Sequence, residues 1–365
     1  MDKTTWDVIV VGSGPGGSIA AKTCADAGLE TLVVEKKRLP RDKVCSGMVM
    51  GYWAKDMVRE HFGDIPKDVL IEQGHYNGVT IHVGSEASLD IPTFIPVGWR
   101  KNLDYWMCKK AVEAGVQVKD GARALNIKQL NKGYEVELKE ENKETEIVNA
   151  RFLIGADGAY SAVRKFVCPD LRVFYRPAYR ECYEEDLSIE KDRFHWFFPS
   201  IASSPRFDIN YKERFLLIEG GSIRQIREKI RQILGVYGFS PDAKPLWRDG
   251  CVIPVLHGDL LNGVFIPARD NALLVGDAAG VLFPFTQEGI GPALKSGLLA
   301  AEAVTEAISG KGTSGDCYLK KIEGLKLFLK ELSQLHQEMN DIAKKGAYAL
   351  VEAMGRFIER TVREM

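Results

Sequence analysis

Apolar residues gather in a short run from Trp6 to Val11, which meets a glycine-rich turn and then a small-residue stretch from about Gly16 to Ala27. A second apolar run, Thr31 to Val34, ends at Glu35. Short run, helix-length segment and short run predict a β-α-β unit with parallel strands. Farther on, Asp104 to Ala114 has helical spacing and stops at Gly115, and Val116 to Val118 predicts a short strand. Tyr134 to Leu138 alternates apolar and polar, the charged Lys139 to Glu144 makes a solvated turn, and Thr145 to Val148 returns. That pattern predicts a β-hairpin.

Other segments have a different character. Val69 to Val83, with Val79, Ile81 and Val83 alternating, predicts strand, as do Phe194 to Phe198, Phe215 to Ile218 and Val252 to Leu256. Pro254 assigns the last of these to a sheet edge. Together they predict a second, largely antiparallel sheet inserted twice into the first unit. Ser222 is read as the N-cap of a helix carrying Ile223, Ile226, Ile230 and Ile233 on one side, and Pro292 to Ile308 as a further apolar helix. After Gly312 the chain is helical, with Leu325, Phe328, Leu332, Leu335, Met339 and Ile342 forming a stripe until Gly346. The default for such a stripe is packing on the protein, ahead of dimerisation or a membrane surface.

Composition narrows the class. At 365 residues the chain has room for two domains or slightly more, at roughly 150 residues each. Apolar residues at 45% and charged residues at 27% are ordinary globular values and argue against disorder. The formal net charge of −1 supplies no overall attraction for nucleic acid or an anionic membrane. Seven scattered cysteines lack paired metal-ligand spacing, so neither a disulfide framework nor a metal site is expected. The stretch Val8 to Val11 is too short for a signal-peptide core, and no apolar run is long enough to span a bilayer. The expectation is a cytoplasmic protein whose membrane contact, if any, is peripheral.

Gly12-Ser13-Gly14-Pro15-Gly16-Gly17 has the G-x-G-x-x-G form. Its first glycine allows a tight turn, the second lets backbone approach a pyrophosphate, and the third lets helix pack on strand. The following helix N-terminus offers unpaired N–H groups to phosphate. Glu35 closes the second strand, where a carboxylate can accept two ribose hydroxyls, and Lys36 adjoins it. With strand, glycines, helix, strand and acid in order, a coincidental glycine turn is the weaker reading. The site expectation is dinucleotide binding by residues 12 to 17, Glu35 and Lys36.

Two later segments choose among dinucleotides. Leu153-Ile154-Gly155-Ala156-Asp157-Gly158, followed by Ser161 and Arg164, resembles the second signature of flavoprotein hydroxylases of the para-hydroxybenzoate hydroxylase type. Ala272 to Gly280, containing Gly276-Asp277, resembles their third, whose aspartate meets the ribityl chain. Arg100 falls where this superfamily places a flavin-contacting arginine. The resemblance covers roughly residues 6 to 300 and implies FAD, held also by Arg100, Asp157, Gly276 and Asp277. It implies an α/β fold: a Rossmann-like FAD-binding domain interleaved with a smaller, mostly antiparallel substrate domain, plus C-terminal helices. The expected boundaries are 1–47, 100–165 and 266–310 for the FAD domain, 48–99 and 166–265 for the substrate domain, and 311–365 for the helical segment.

Within that superfamily, Leu39 to Gly47, with Lys43, Cys45 and Gly47, is similar to a segment of the geranylgeranyl reductase family, although Ser46 stands where that family carries a glycine. Pro284-Phe285-Thr286-Gln287-Glu288-Gly289-Ile290-Gly291 resembles its segment after the third signature, and His195-Trp196-Phe197-Phe198-Pro199 its aromatic strand. The resemblance implies that reduced FAD saturates carbon–carbon double bonds of an isoprenoid substrate. It implies ring contacts from Ser46, Gly47, Gly289 and Ile290, the helix from Gly289 aiming its positive end at the pyrimidine. Cys45 would sit beside the ring as proton donor or positioning group; the bland alternative is a small buried hydrophobe. Glu288 is read as a helix cap, with an acid role as the alternative. Trp196 and Phe198 are the expected substrate-pocket aromatics, chosen from a set with Tyr52, Trp53 and Phe197 that equally suits a core. The six histidines show no ligand spacing.

Three rivals share this architecture: a flavin monooxygenase hydroxylating an aromatic ring, a flavin halogenase, and a lipid carrier similar to GDP-dissociation inhibitors. The W-x-W-x-I-P halogenase pattern is absent, and retention of the glycines, Glu35 and Asp277 argues against a carrier. With only one complete dinucleotide fingerprint, the expected electron donor is NAD(P)H bound without its own Rossmann domain, or a ferredoxin-like carrier protein.

Overall fold

The computed structural model describes residues 4–202 and 205–362. Its first sheet has eight strands: β1 (Thr5–Val11), β2 (Thr31–Glu35), β5 (Gln117–Asp120), β6 (Ala122–Leu130), β7 (Gly133–Glu140), β8 (Glu146–Gly155), β14 (Ala268–Arg269) and β15 (Ala272–Leu274). The path β14-β15-β8-β1-β2-β5 is parallel from β15 onward, and β7 and β6 hang antiparallel from β8. Val8 to Val11 are all buried, as a parallel strand covered on both faces requires. The predicted hairpin is thus two strands of a three-stranded antiparallel extension. Its return strand, β8, runs straight on into the parallel sheet.

The second sheet has seven strands: β3 (Leu70–Val83), β4 (Ala87–Gly98), β9 (Phe174–Tyr183), β10 (Arg193–Phe198), β11 (Phe207–Lys212), β12 (Phe215–Gly220) and β13 (Trp247–Val255), in the order β13-β9-β12-β11-β10-β3-β4. Every neighbouring pair is antiparallel except β10 with β3. Pro254 lies on β13, an edge strand of this sheet, the place where a proline is tolerated.

The helices are α1 (Pro15–Asp26), α2 (Tyr52–Phe62), α3 (Arg100–Glu113), α4 (Ala162–Val167), α5 (Arg227–Gly235), α6 (His257–Leu261), α7 (Ile290–Ile308), α8 (Ser314–Ile342) and α9 (Ala347–Val362). Ile19 of α1, Met57 of α2, Leu103 of α3 and Leu294 of α7 share one apolar cluster. Ser222 does not cap α5: that helix starts at Arg227 with no side-chain cap, and Ser222 closes an earlier turn through its carbonyl oxygen. The C-terminal stripe packs inward, with Leu325, Phe328, Leu332 and Met339 buried, and Gly346 (φ +109) separates α8 from α9.

Candidate functional site

A cavity of about 1450 Å³ opens at the carboxyl ends of β1, β2, β8 and β15, between the two sheets. Parallel α/β sheets bind ligands at this end of their strands, and the volume exceeds that of an ordinary small-molecule pocket. Gly12, Gly14, Pro15 and Gly16 line it at the N-terminus of α1. Gly12 has φ +106, and a Cβ there would fall 2.3 Å from the Ala156 oxygen, so only glycine fits. Ser13 and Gly17 are not on the wall. A Cβ on Gly17 would meet the Gly12 oxygen at 1.9 Å, so this glycine seats helix on strand.

Glu35 lines the cavity and is 4% exposed. Its Oε2 accepts from Ser13 N (3.2 Å), Ser13 Oγ (2.9 Å) and Arg41 Nε (3.0 Å), and its Oε1 from Lys37 N (3.0 Å). Burial alone would raise its pKa; the Arg41 guanidinium and these donors hold it below the usual carboxylate range. Arg41 also reaches Asp104 Oδ2 (3.2 Å), and Asp104 takes a bidentate pair from Arg100 at 2.7 and 2.9 Å. Burial would lower the Arg100 pKa, but Asp104 and the Cys45 thiol keep it raised. Glu35, Arg41, Asp104 and Arg100 therefore form a charged chain along the cavity that ends against Cys45. Arg41 and Asp104 went unassigned in the sequence, because neither stands in a phosphate-turn motif.

Lys36 and Asp157 also line the cavity. Asp157 Oδ2 accepts from Ala162 N (2.6 Å) and Val163 N (3.3 Å) at the start of α4, whereas its buried Oδ1 has no partner among the described residues. Arg164 ties the second and third signatures together by donating to Ala278 O at 3.2 Å. Gly276 and Asp277 follow β15 on the wall, and Lys43 approaches Asp277 at 3.6 Å. The residues fit FAD: an open glycine turn at a helix start, an acid at the end of β2, and an orphaned acceptor between them and the third signature.

Cys45 and Ser46 line the cavity; Gly47 does not. Gly47 has φ +72 and backs onto Gly98 O, 1.9 Å from any Cβ, so it shapes the turn from behind. The Cys45 thiol accepts from Gly47 N (3.4 Å), and Arg180 Nη1 donates to the Cys45 carbonyl (3.2 Å). Lys212 is fully buried nearby, its Nζ donating to Gly98 O (3.2 Å), and burial pushes its pKa down to about 8. Gly289 caps α7 and Ile290 opens it, both on the wall.

The far wall holds Phe194, Trp196, Val252, Ile253 and Phe285. Phe198 is not part of it: this ring is 1% exposed and stacks behind Phe285 at 5.9 Å. Phe197 faces a separate core behind the sheet, Trp53 packs on Phe328, and the Tyr52 side chain lies outside the described residues. Strand alternation explains the split, since Trp196 and Phe197 point to opposite faces. Phe285 and Gln287 hold left-handed backbone at φ +65 and +58, a strain of roughly 1–3 kcal/mol each. Arg206 lies over the Trp196 and Phe285 rings at 5.5 and 5.1 Å. Its strand-edge position carried no sequence signal.

A glycine turn, an acid-ended second strand and an inserted second sheet define an FAD-dependent oxidoreductase of the para-hydroxybenzoate hydroxylase type. Residues 5–175 match the model of an FAD binding domain family. The chain is 30% identical over 345 residues to a digeranylgeranylglycerophospholipid reductase of Methanosarcina acetivorans, covering 88% of this chain and 79% of that one. It is 27% identical over 324 residues to digeranylgeranylglycerophospholipid reductase 3 of Methanosphaera stadtmanae, covering 84% and 79%. Among solved structures, a geranylgeranyl bacteriochlorophyll reductase-like protein from Thermoplasma acidophilum superposes with a TM-score of 0.75 at 21% identity, over 99% and 97% of the two chains. A flavin-dependent brominase gives 0.72 at 16%, over 98% and 94%. The chain belongs to the geranylgeranyl reductase family of FAD-dependent oxidoreductases.

Proposed function

We propose that this protein reduces carbon–carbon double bonds in the isoprenoid chains of a lipid. The observation that carries the reading is the cavity's continuation past Cys45 to the apolar wall of Phe194, Trp196, Val252, Ile253 and Phe285, which suits a hydrocarbon chain. The relatives named as digeranylgeranylglycerophospholipid reductases support the same substrate class.

Gly12, Gly14 and Gly16 with the α1 N-terminus would hold the FAD pyrophosphate, Glu35 and Lys36 the nucleoside, and Asp157 and Asp277 the ribityl hydroxyls. Ser46, Gly289 and Ile290 would meet the ring. When bound and reduced, FAD supplies the hydride. Arg100, the Gly47 amide and Arg180 fix the Cys45 segment, making Cys45 a positioning group at the reacting end. The α7 N-terminus presents amides where negative charge is stabilised, and the aromatic wall excludes water. Reducing equivalents come from NAD(P)H bound without a second Rossmann fold, or from a ferredoxin-like carrier. A lipid substrate places the protein in peripheral contact with membrane; among the described residues, no helix is long and apolar enough to cross one.

The test is anaerobic incubation of the chemically reduced protein with a panel of polyprenyl lipids, read by mass spectrometry. A gain of two hydrogens per reduced double bond is expected. Unchanged lipid without oxygen, together with oxygen incorporation in air, would overturn this reading in favour of a monooxygenase.

A further inference from the structure

Saturating an alkene requires a proton as well as a hydride, and the cavity holds one acid whose chemistry the fold leaves unused. Glu288 lies one residue before the N-cap of α7 and lines the cavity. The Gly291 amide favours the charged form of the Glu288 carboxyl, but no side-chain cap bond is made at the start of this helix. Glu288 Oε2 is shielded from solvent and has no hydrogen-bond partner among the described residues. A carboxylate in that position would be an uncompensated buried charge. Burial accordingly pushes its pKa up to about 8 against the pull of the Gly291 amide, with the nearby Cys45 adding to the rise. At neutral pH Glu288 is therefore mostly protonated. A protonated carboxyl is a donor as well as an acceptor, and the oxygen free to carry the hydrogen is the unpartnered one.

Cys45 is the other candidate acid beside the same space. Its sulfur already accepts from Gly47 N and lies against the Arg100 guanidinium. Those contacts fix the thiol in place, whereas among the described residues no group bonds Glu288 Oε2.

We propose that Glu288 is the catalytic acid that protonates the substrate alkene. The inference rests on the reductase reading above. In the step, one alkene carbon takes a hydride from reduced flavin, the two-electron donor, while the other takes the Glu288 proton. The carbon–carbon π bond, the N–H bond of the reduced flavin that carries the hydride and the O–H bond of the Glu288 carboxyl break and two C–H bonds form, the carboxyl turning to present its proton to the cavity. The alkene is reduced, the flavin is oxidised, and the Glu288 carboxylate recovers its proton from water once product leaves.

The test uses the full FAD-loaded chain as wild type, Glu288→Gln, Glu288→Asp and Cys45→Ser. Infrared spectroscopy at pH 7 should show a protonated-carboxyl band in the wild type that Glu288→Gln removes; its absence from the wild type overturns the proposal whatever the turnover. After anaerobic chemical reduction, each protein is mixed with a geranylgeranyl-chain phospholipid in detergent micelles and flavin reoxidation is followed. Glu288→Gln should keep its FAD content and slow reoxidation at least about a hundredfold, within the range of general-acid contributions, and Glu288→Asp should recover part of the rate. Reoxidation of Glu288→Gln at the wild-type rate, with Cys45→Ser losing it, would transfer the role to Cys45 and overturn the assignment. Wild type that keeps its carboxyl band yet is not reoxidised by the lipid marks failure of the reductase reading, and the acid role falls with it.

Discussion

Glu35 illustrates how much of a cofactor site is spent on internal order. A carboxylate offers about four lone-pair positions, and Ser13, Arg41 and Lys37 already donate four hydrogen bonds to it. On the proposed FAD-binding roles a ribose hydroxyl would share those oxygens, and the position of Arg41 would decide how. Arg41 also lies 3.6 Å from the Cβ position of Gly14, which sets its charge beside the pyrophosphate turn. Losing a hydrogen bond to a charged group costs roughly 1.5–3 kcal/mol. Arg41→Ala is expected to weaken FAD binding about tenfold to a hundredfold, read as flavin retained on purification and as Kd by flavin fluorescence; unchanged affinity would contradict this placement. The glycine turn and Glu35 were legible in the sequence because their order along one β-α-β unit carries the geometry. Arg41–Asp104 and the free Glu288 oxygen were not, since each depends on which remote segment comes to lie against it.

The second sheet holds a titratable pair in its core. His82 on β3 and His195 on the neighbouring β10 face each other with Nε2 and Nδ1 3.2 Å apart, and His195 Nε2 bonds the Glu190 carbonyl at 2.7 Å. His82 also stacks on Phe197 at 4.2 Å. Burial, with each other's proximity adding for His82, lowers both pKa values, that of His82 from 6.5 to about 4. The unfolded chain then binds more protons than the fold between those values, so stability is full above about pH 6.5 and falls toward pH 4. Thermal melts should lose on the order of 2 kcal/mol between pH 7 and pH 5 from this source, and His82→Gln should flatten that slope. A wild-type slope identical to that of His82→Gln would count against the pair. Strand patterning in the sequence located β3 and β10 from their alternating valines and aromatics. It missed β4, whose prolines obscured the period, and misread Ser222, whose hydroxyl has no helix start to cap.

At the scale of the molecule, α9 closes the structure. Leu350, Met354, Phe357 and Ile358 are fully buried, and Gly355 lets α9 press onto Leu89 of β4, where a Cβ would sit 2.5 Å away. Phe357 meets Phe285 at 5.3 Å, joining this last helix to the cavity wall. At roughly 1.5–3 kcal/mol per buried side chain, these four contribute about as much as the whole net stability of a domain, 5–15 kcal/mol. Truncation after Gly346 is expected to abolish cooperative thermal unfolding in circular dichroism; a truncated chain melting at the wild-type temperature would contradict that weight. The interleaving of the two sheets also orders events during synthesis. The glycine turn at Gly12 leaves the ribosome well before its opposite wall at Gly276–Asp277, which emerges only after both insertions of the second sheet. On the proposed FAD-binding roles, cofactor capture waits until β15 has been made, and a nascent chain stalled before β15 would present its glycine turn with nothing to close over the flavin.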